Sequence, residues 1–363
     1  MTYEQGDKHL NSTPQVTCVV ITRNRDELLM HCVKSLQAST YPSNKLEIIV
    51  VDNGSSAKSL TQARLALPNV KFIETGRNML TSAAANIGMN NGNGEYFFIL
   101  ADDNVVDPNT ISTLVSAAQD VGPCILGPKT YFKGDEKRIF SLGGNITFWS
   151  GITKSPGAGE IDMGQFQSNR FPDTVHNAMF LDRAAVELTG GFDVDVFPMH
   201  NEEADLCLRA NKMGVTVEVV VDAIVWHSEY EDAGLFSFGN NDFCIDSPLR
   251  AYLTGRNRIA LVRRHASKAS RLSFYLIALV PAVALYALII VSTSRTRMNL
   301  KAFLAGSLDG ILDTIQEFAA EGSHSIKVGK LKTSSSRWDW IYDGQRFLRY
   351  QGGTRTYATD DSG

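Results

Sequence analysis

Residues 16–52 read VTCVVITRNRDELLMHCVKSLQASTYPSNKLEIIVVD, and this stretch decides the fold. Two short runs rich in β-branched residues, Val16 to Ile21 and Leu46 to Asp52, flank a segment from Asp26 to Ala38 whose apolar residues recur at helical spacing. Strand, helix and strand in that order are the unit of a parallel sheet covered by helices. The alternation continues, with strands expected at Val70 to Glu74 and Glu95 to Leu100 and helices at Ser55 to Ala66 and Ser82 to Asn90. Pro108 opens a further helix at the position proline tolerates best. The first hundred residues are thus an α/β half of the nucleotide-binding type, in which ligands sit beyond the carboxyl ends of the strands.

After Gly122 the periodicity weakens, and the Gly-rich stretch Leu142 to Gly164 reads as loops and irregular strands over the site. Order returns with a strand at Val175 to Leu181. A helix follows from Glu202 to Met213, capped by Asn201 and ended by Gly214, and then a strand at Thr216 to Val221. Leu272 to Ser294, LSFYLIALVPAVALYALIIVSTS, carries no charge and exceeds the roughly 20 apolar residues that cross a bilayer. Pro281 near its middle predicts a kinked span or a re-entrant hairpin. Arg256, Arg258, Arg263, Arg264, Lys268 and Arg271 precede it, against Arg295, Arg297 and Lys301 beyond, which places the preceding domain in the cytoplasm. Leu300 to Phe318 has the spacing of an amphipathic helix lying in the membrane surface. The expected organisation is an N-terminal extension (1–15), a catalytic domain (16–265), a spanning or re-entrant helix (272–294), an amphipathic helix (300–320) and a polar tail (321–363).

The 363 residues allow a large core, and a net charge of -4 gives no general attraction to nucleic acid. Five scattered cysteines without a CxxC pair, Cys18, Cys32, Cys124, Cys207 and Cys244, read as buried thiols in a reducing compartment. The polar N-terminus lacks a secretory apolar stretch. No G-x-G-x-x-G follows the first strand, where VITRNRDE stands, so a dinucleotide-dependent oxidoreductase is disfavoured.

Three acidic groups fall where a ligand would be met. Asp52, in VVDNGSS, is placed to accept from a nucleobase or ribose, or is an ordinary turn aspartate. Asp102-Asp103-Asn104 follows the apolar run EYFFIL, and its hard oxygens suit Mg2+ or Mn2+ or simply cap the next helix. Glu202-Glu203-x-Asp205 opens a helix, where acids complement the dipole or, read functionally, include a general base that the helix terminus keeps ionised. His227, in VWHSEY, offers a neutral imidazole to a metal or is structural.

In order, VVDNGS, FFILADDNVVDP, TGGFDVDVFPMHNEEADLCLRANKMG, DAIVWH and YLTGRNRIALVRRH resemble a family 2 glycosyltransferase of the rhamnosyl- or galactofuranosyltransferase type, over about residues 15 to 265. The apolar segment followed by LKAFLAGSLDGIL is similar to the tail of many bacterial and archaeal members. The resemblance implies a GT-A fold, an inverting mechanism, a divalent metal (Mg2+ or Mn2+) and a nucleotide-sugar donor. It implies that Asp52 contacts the nucleobase, Asp103 is the metal-binding aspartate of D-x-D, Glu203 is the catalytic base and His227 is a metal ligand. Thr22 and Arg23 begin the nucleotide pocket, with Asp102 beside it. Arg256 and Arg258 lie near diphosphate or acceptor, and Glu202 and Asp205 flank the acceptor side. Ala101 stands where the first D-x-D acid is usual, and Glu203 stands where Asp is usual. A glycan or polyprenyl-linked acceptor at the cytoplasmic membrane face follows from the apolar segment. The alternative from a different class is a membrane-tethered nucleotide-sugar- or carbohydrate-binding protein without catalysis.

Overall fold

β1 (Val16–Thr22) sends alternate side chains to opposite layers: Val16, Cys18 and Val20 into one core, Val19 into the other. A strand buried on both faces is what its run of apolar residues predicts. In the computed structural model, which describes residues 13–56, 59–228, 245, 247–293, 297–322, 339–342, 347–351 and 354–356, the chain continues as α1 (Asp26–Gln37), β2 (Leu46–Asp52), α2 (Thr61–Ala66), β3 (Lys71–Glu74), α3 (Leu80–Asn90), β4 (Tyr96–Ala101), β5 (Asn104–Val106) and α4 (Thr110–Val121). It proceeds through β6 (Cys124–Lys133), β7 (Asp135–Ser141), β8 (Asn145–Thr147), β9 (Ile152–Lys154), β10 (Ala178–Asp182), α5 (Arg183–Thr189), α6 (Glu202–Lys212) and β11 (Thr216–Ser228). The C-terminal part holds α7 (Pro248–His265), α8 (Lys268–Ser273), α9 (Leu279–Thr293), α10 (Arg297–Gly322), and a small antiparallel sheet of β12 (Asp339–Tyr342), β13 (Phe347–Gln351) and β14 (Thr354–Thr356).

The main sheet runs β3-β2-β1-β4-β10-β6-β11-β5, with β7 beside β6. β1, β2, β3 and β4 are parallel, β10 is antiparallel to both neighbours, and β6 is parallel to β11. The chain steps outward from β1 to β3 and then returns to β4 on the other side of β1, so the carboxyl ends of β1 and β4 frame a topological switch point. α1 and α4 cover one face of the sheet and α3, α5 and α6 the other. Where β4 meets β10, the paired and fully buried Phe98 and Phe180 pack edge to face at 6.0 Å. Each such ring contributes on the order of 2 kcal/mol by burial alone.

Several expectations shift. α2 begins at Thr61 rather than Ser55, because Ser55 N–H donates to Asp52 Oδ1 and Ser56 N–H to Asn24 Oδ1, a side-chain-held turn in place of a helical one. Pro108 does not open α4, which starts at Thr110; the Pro108 carbonyl instead accepts from Thr40 N–H at 2.9 Å. Asn201 does not cap α6 with its side chain, since it sits in the left-handed region at φ 63°. The strand expected at Val175 to Leu181 begins at Ala178, and β11 extends seven residues past Val221 across a bulge between Val220 and Ile224. The weakly periodic region holds the ten-residue β6, which sequence reading did not find, and the short β8–β9 pair. Cys18, Cys32, Cys124 and Cys207 are buried free thiols; Cys244 lies outside the described residues.

The apolar segment is helical through Pro281. A π-helical turn, Phe274–Ala278, contains Ile277, the residue whose carbonyl a proline at 281 would strike, and the wider turn makes the room. Lys268 to Ser292 is long and apolar enough to cross a membrane by length and composition, and 22% of its most apolar stretch is buried. α10 is longer than expected and packs on α7 through glycines: a Cβ on Gly306 would strike the Tyr252 carbonyl, and one on Gly255 would meet Phe303 and Ser307. Leu304 and Leu308 remain exposed on α10. Residues 1–12 of the extension and most of the tail lie outside the described residues.

Candidate functional site

The switch point gathers the first group. β1 ends at Thr22, whose Oγ1 donates to Asp102 Oδ2 at 2.6 Å across the crevice. Asp102 and Asp103, just past β4, are 1% and 5% exposed. Arg25, between β1 and α1, forms an ion pair with Asp102 and another with Asp103 at 3.0 Å. Burial pushes the Asp102 carboxyl up to about 6 against the pull of Arg25 and Thr22. β11 pairs His227 with Asn104 in register, which brings His227 Nε2 to 3.6 Å from Asp103 Oδ1, and the imidazole stacks on Phe140. Among the described residues no three His, Cys, Asp or Glu side chains converge on one point. A carboxylate and an imidazole side by side are nevertheless suitable donors for a divalent cation whose remaining coordination comes from phosphate and water oxygens.

Asp52 closes β2. One oxygen accepts from Ser55 N–H at 2.9 Å and the other from Arg64 at 2.9 Å, while Arg64 also pairs with Glu74. Gly54 follows in the left-handed region, where a Cβ would overlap the Arg77 backbone, so only glycine fits. Arg23 Nε reaches the Gly54 carbonyl at 3.4 Å. These residues form the wall of the crevice beyond β1 and β2.

Glu203 joins the same site by a relay of short contacts. Its Oε1 accepts from Asn177 N–H at 2.9 Å, Asn177 Nδ2 donates to Asn104 Oδ1 at 2.7 Å, and Asn104 Nδ2 donates to Asp103 Oδ1 at 3.3 Å. Asn177 adopts φ 73° one residue before β10, and that turn aims its N–H at α6. The helix terminus does not hold Glu203 in the ordinary ionised range. Burial, and then the charge of Glu202 beside it, raise its pKa, and burial raises that of Glu202 as well. The backbone before α6 is forced: His200 and Asn201 are both left-handed, each costing about 1–3 kcal/mol that the surroundings must offset.

The Glycosyl transferase family 2 model matches residues 17–189. This stretch is a family 2 glycosyltransferase domain. Over 108 residues, 29% of this chain and 35% of its own, Glycosyltransferase GlyG of Streptococcus pneumoniae serotype 4 is 31% identical. Glycosyltransferase AglE of Haloferax volcanii is 26% identical over 125 residues, 34% of this chain and 41% of its own. The aligned stretches span 18% to 41% of the length of the curated relatives. The mannosyltransferase PcManGT from Pyrobaculum calidifontis, solved with GDP-Man and Mn2+, shares the fold at TM-score 0.50 and 16% identity, over 85% of this chain and 91% of its own. The sheet with its flanking helices is thus of the GT-A type. The family match ends before α6, so Glu203 and His227 lie beyond it.

Asp205, two residues from Glu203, has a different place in the structure. Its side chain is fully buried and bonded to Arg209 (2.8 Å), Arg264 (2.9 Å) and His265 (2.8 Å). Burial alone would raise its pKa, but the His265 hydrogen bond and the two arginines bring it down to about 2. Arg256 donates to the Val196 carbonyl at 2.7 Å, and Arg258 to the Ser150 carbonyl at 2.7 Å while stacking over Tyr286. These guanidinium groups bind backbone within the protein, and the structure joins neither to the Asp103–Glu203 relay. Arg25, Arg64 and Asn177 are the contributors that sequence reading missed, and Asn104, read there only as part of the acidic triplet, serves as the link to Asn177. Arg25 lies in TRNR directly after β1, and the acidic pair opposite it was the available signal.

Asp205→Ala is expected to destabilise the fold by about 3 kcal/mol, because three cationic or polar groups lose their shared partner. With a folded pKa near 2 against roughly 3.9 unfolded, the carboxylate's contribution is complete above about pH 5 and is lost as pH falls toward 2. Urea denaturation across that range should show Asp205→Asn without this acid-side loss.

Proposed function

We propose that the chain is an inverting glycosyltransferase that moves a sugar from a nucleotide-diphosphate donor to a hydroxyl of a glycan or polyprenyl-linked acceptor at the cytoplasmic face of a membrane. The observation that carries the reading is the relay from Glu203 through Asn177 and Asn104 to Asp103, which spaces a proton acceptor and a cation-binding carboxylate across one crevice. Asp52, Thr22, Arg23 and Asp102 line the donor side, with Asp52 toward the nucleobase. Asp103 and His227 would hold Mg2+ or Mn2+, which when bound neutralises charge on the departing diphosphate. Both PcManGT and GalNAc-T7, the latter solved with UDP, GalNAc and Mn2+ and similar in fold at TM-score 0.53 and 15% identity over 77% of this chain and 59% of its own, carry that ion.

Glu203 takes the acceptor hydroxyl proton as that oxygen bonds to the anomeric carbon, and the bond from that carbon to the diphosphate breaks with inversion. A carboxylate whose pKa is raised toward neutrality is a better proton acceptor for this step than an ordinary glutamate. A cavity of about 360 Å3 lined by Asn145, Gln165, Phe166, Arg170 and Phe171 offers aromatic faces and amide groups to an acceptor glycan; Gly144, next to Asn145, packs on His176, the neighbour of Asn177.

Membrane attachment rests on the charge-free segment and its exposed face, where Leu276, Val280 and Leu288 are 65–75% exposed. The six basic residues before it against three after support a cytoplasmic domain. Because α10 packs against α7, the test uses the intact chain: the full-length protein is expected in the membrane pellet, and Val280→Asp with Leu288→Asp should move it to the soluble fraction. Wild-type protein recovered soluble without detergent would refute attachment.

With Mn2+ and a panel of UDP- and GDP-sugars, Asp103→Ala should lose metal-dependent donor binding by calorimetry while remaining folded; unchanged affinity would remove Asp103 from the metal site. Glu203→Gln should bind donor normally and turn over roughly a hundredfold or more slowly. Since Glu203 must be ionised to accept a proton and its pKa is raised, the wild-type rate should climb with pH along a limb above the ordinary glutamate range near roughly 4.3. A pH–rate profile with its acid limb at or below that range would exclude Glu203 as the base.

A further inference from the structure

The loop that delivers Glu203 is held carbonyl by carbonyl. Val196 O accepts from Arg256 Nη1 (2.7 Å), Phe197 O from Ser82 Oγ (2.5 Å), Pro198 O from Ser82 N–H (3.1 Å), and Met199 O and His200 O from the two protons of Asn257 Nδ2 (2.8 Å each). Five consecutive carbonyls are thus bound by two helices, α3 and α7, and the sixth, Asn201 O, accepts Asp205 N–H inside α6. Asn257 is fully buried, and its Oδ1 accepts from Arg256 Nη1 at 3.1 Å, which fixes the amide so that Nδ2 faces the loop. The carbonyls that Asn257 holds belong to the residues on either side of the Met199–His200 peptide link, where the chain enters its left-handed pair at His200 (φ 65°) and Asn201 (φ 63°). Non-glycine residues leave that region when nothing restrains them. A relaxation there rotates the first turn of α6, and Glu203 is in that turn.

We infer that Asn257 is a positioning residue: by clamping the Met199 and His200 carbonyls where the chain enters the left-handed pair His200–Asn201, it sets the direction of the Glu203 carboxyl toward Asn177 and the crevice. The inference rests on the proposed role of Glu203. The chemistry of the clamp is specific, because the site needs two N–H donors and one acceptor on a short side chain. Aspartate has the same shape and, when ionised, no donor, and leucine has neither donor nor acceptor. Ser82 holds the preceding two carbonyls from the opposite side, so loss of Asn257 frees the end of the loop nearest Glu203 and leaves its start anchored.

The test uses the full-length protein in detergent with Mn2+ and a UDP- and GDP-sugar panel, following nucleoside diphosphate release, together with amide hydrogen exchange. For Asn257→Asp and Asn257→Leu, exchange is expected to accelerate at least tenfold in peptides covering 199–205 and to stay unchanged in peptides covering 16–52. Turnover should fall tenfold or more with the donor KM within twofold of wild type. A structural role alone would loosen the whole domain and raise KM with the loss of rate. Unchanged exchange in 199–205 would overturn the clamp, and accelerated exchange with undiminished turnover would overturn its positioning role. If the wild-type protein released no diphosphate from any donor, the glycosyltransferase reading would fail separately, and the exchange measurement alone would still decide whether Asn257 holds this loop.

Discussion

Two adjacent carboxylates, Asp102 and Asp103, are kept almost free of solvent at the end of a strand walled in by others, and the surrounding site depends on how that charge is compensated. Like charges a few ångströms apart in partly buried surroundings repel by about 4 kcal/mol. Arg25 reaches both, Thr22 donates to one, and His227 approaches the other. One guanidinium against two carboxylates leaves a deficit of positive charge when both are ionised, at the mouth of the crevice where the strand order reverses. Arg25 is also a third exposed, at the edge where a phosphate would approach. Thr22 and Arg25 fix the acidic pair in place, and the proposed divalent cation would offset the charge that remains.

The parallel half of the sheet was legible because its cause is local. Val16 to Asp52 carries its own period, and β1, α1 and β2 appear within a residue of expectation. β6 was not legible, because Gly127 and Pro128 break its apolar pattern and its stability comes from β11, more than ninety residues away in sequence. Asn201 and Pro108 failed for a related reason. Both have the right residue type for a helix start, but Asn201 is in a strained turn held by other carbonyl contacts, and Pro108 spends its carbonyl on Thr40.

At the site, residue type located the acids and left their use open. Glu203 and Asp205 are both acidic residues in the first turn of α6, and sequence alone leaves them competitors. The partners separate them: Asp205 is surrounded by Arg209, Arg264 and His265 and held strongly acidic, whereas Glu203 has a single backbone donor and a neighbouring acid. A carboxylate already saturated by two arginines and a histidine has little tendency to accept another proton. The partners also describe the basic block of α7. Arg256 and Arg258, which the resemblance puts near diphosphate or acceptor, and Arg264, counted among the charges before the apolar segment, are each bound to a neighbouring segment of the chain.

α7 explains why the C-terminal helices belong to the argument about the site. Its residues divide by helical spacing into two faces. Asn257, Ala260, Leu261 and Arg264 face the loop and helix that carry Glu203, meeting Phe197, Ala204, Leu208 and Asp205. Gly255, Ile259 and Val262 face the other way, onto Phe274 and Leu279 of the apolar segment and onto α10. The glycine contacts with α10 allow almost no adjustment, since a single added methyl group would overlap backbone. A helix fixed this closely on one side cannot roll to suit the other. The apolar segment and the Glu203 loop consequently share one rigid support, and the position of the Glu203 carboxyl is set partly by packing that lies against the proposed membrane helix.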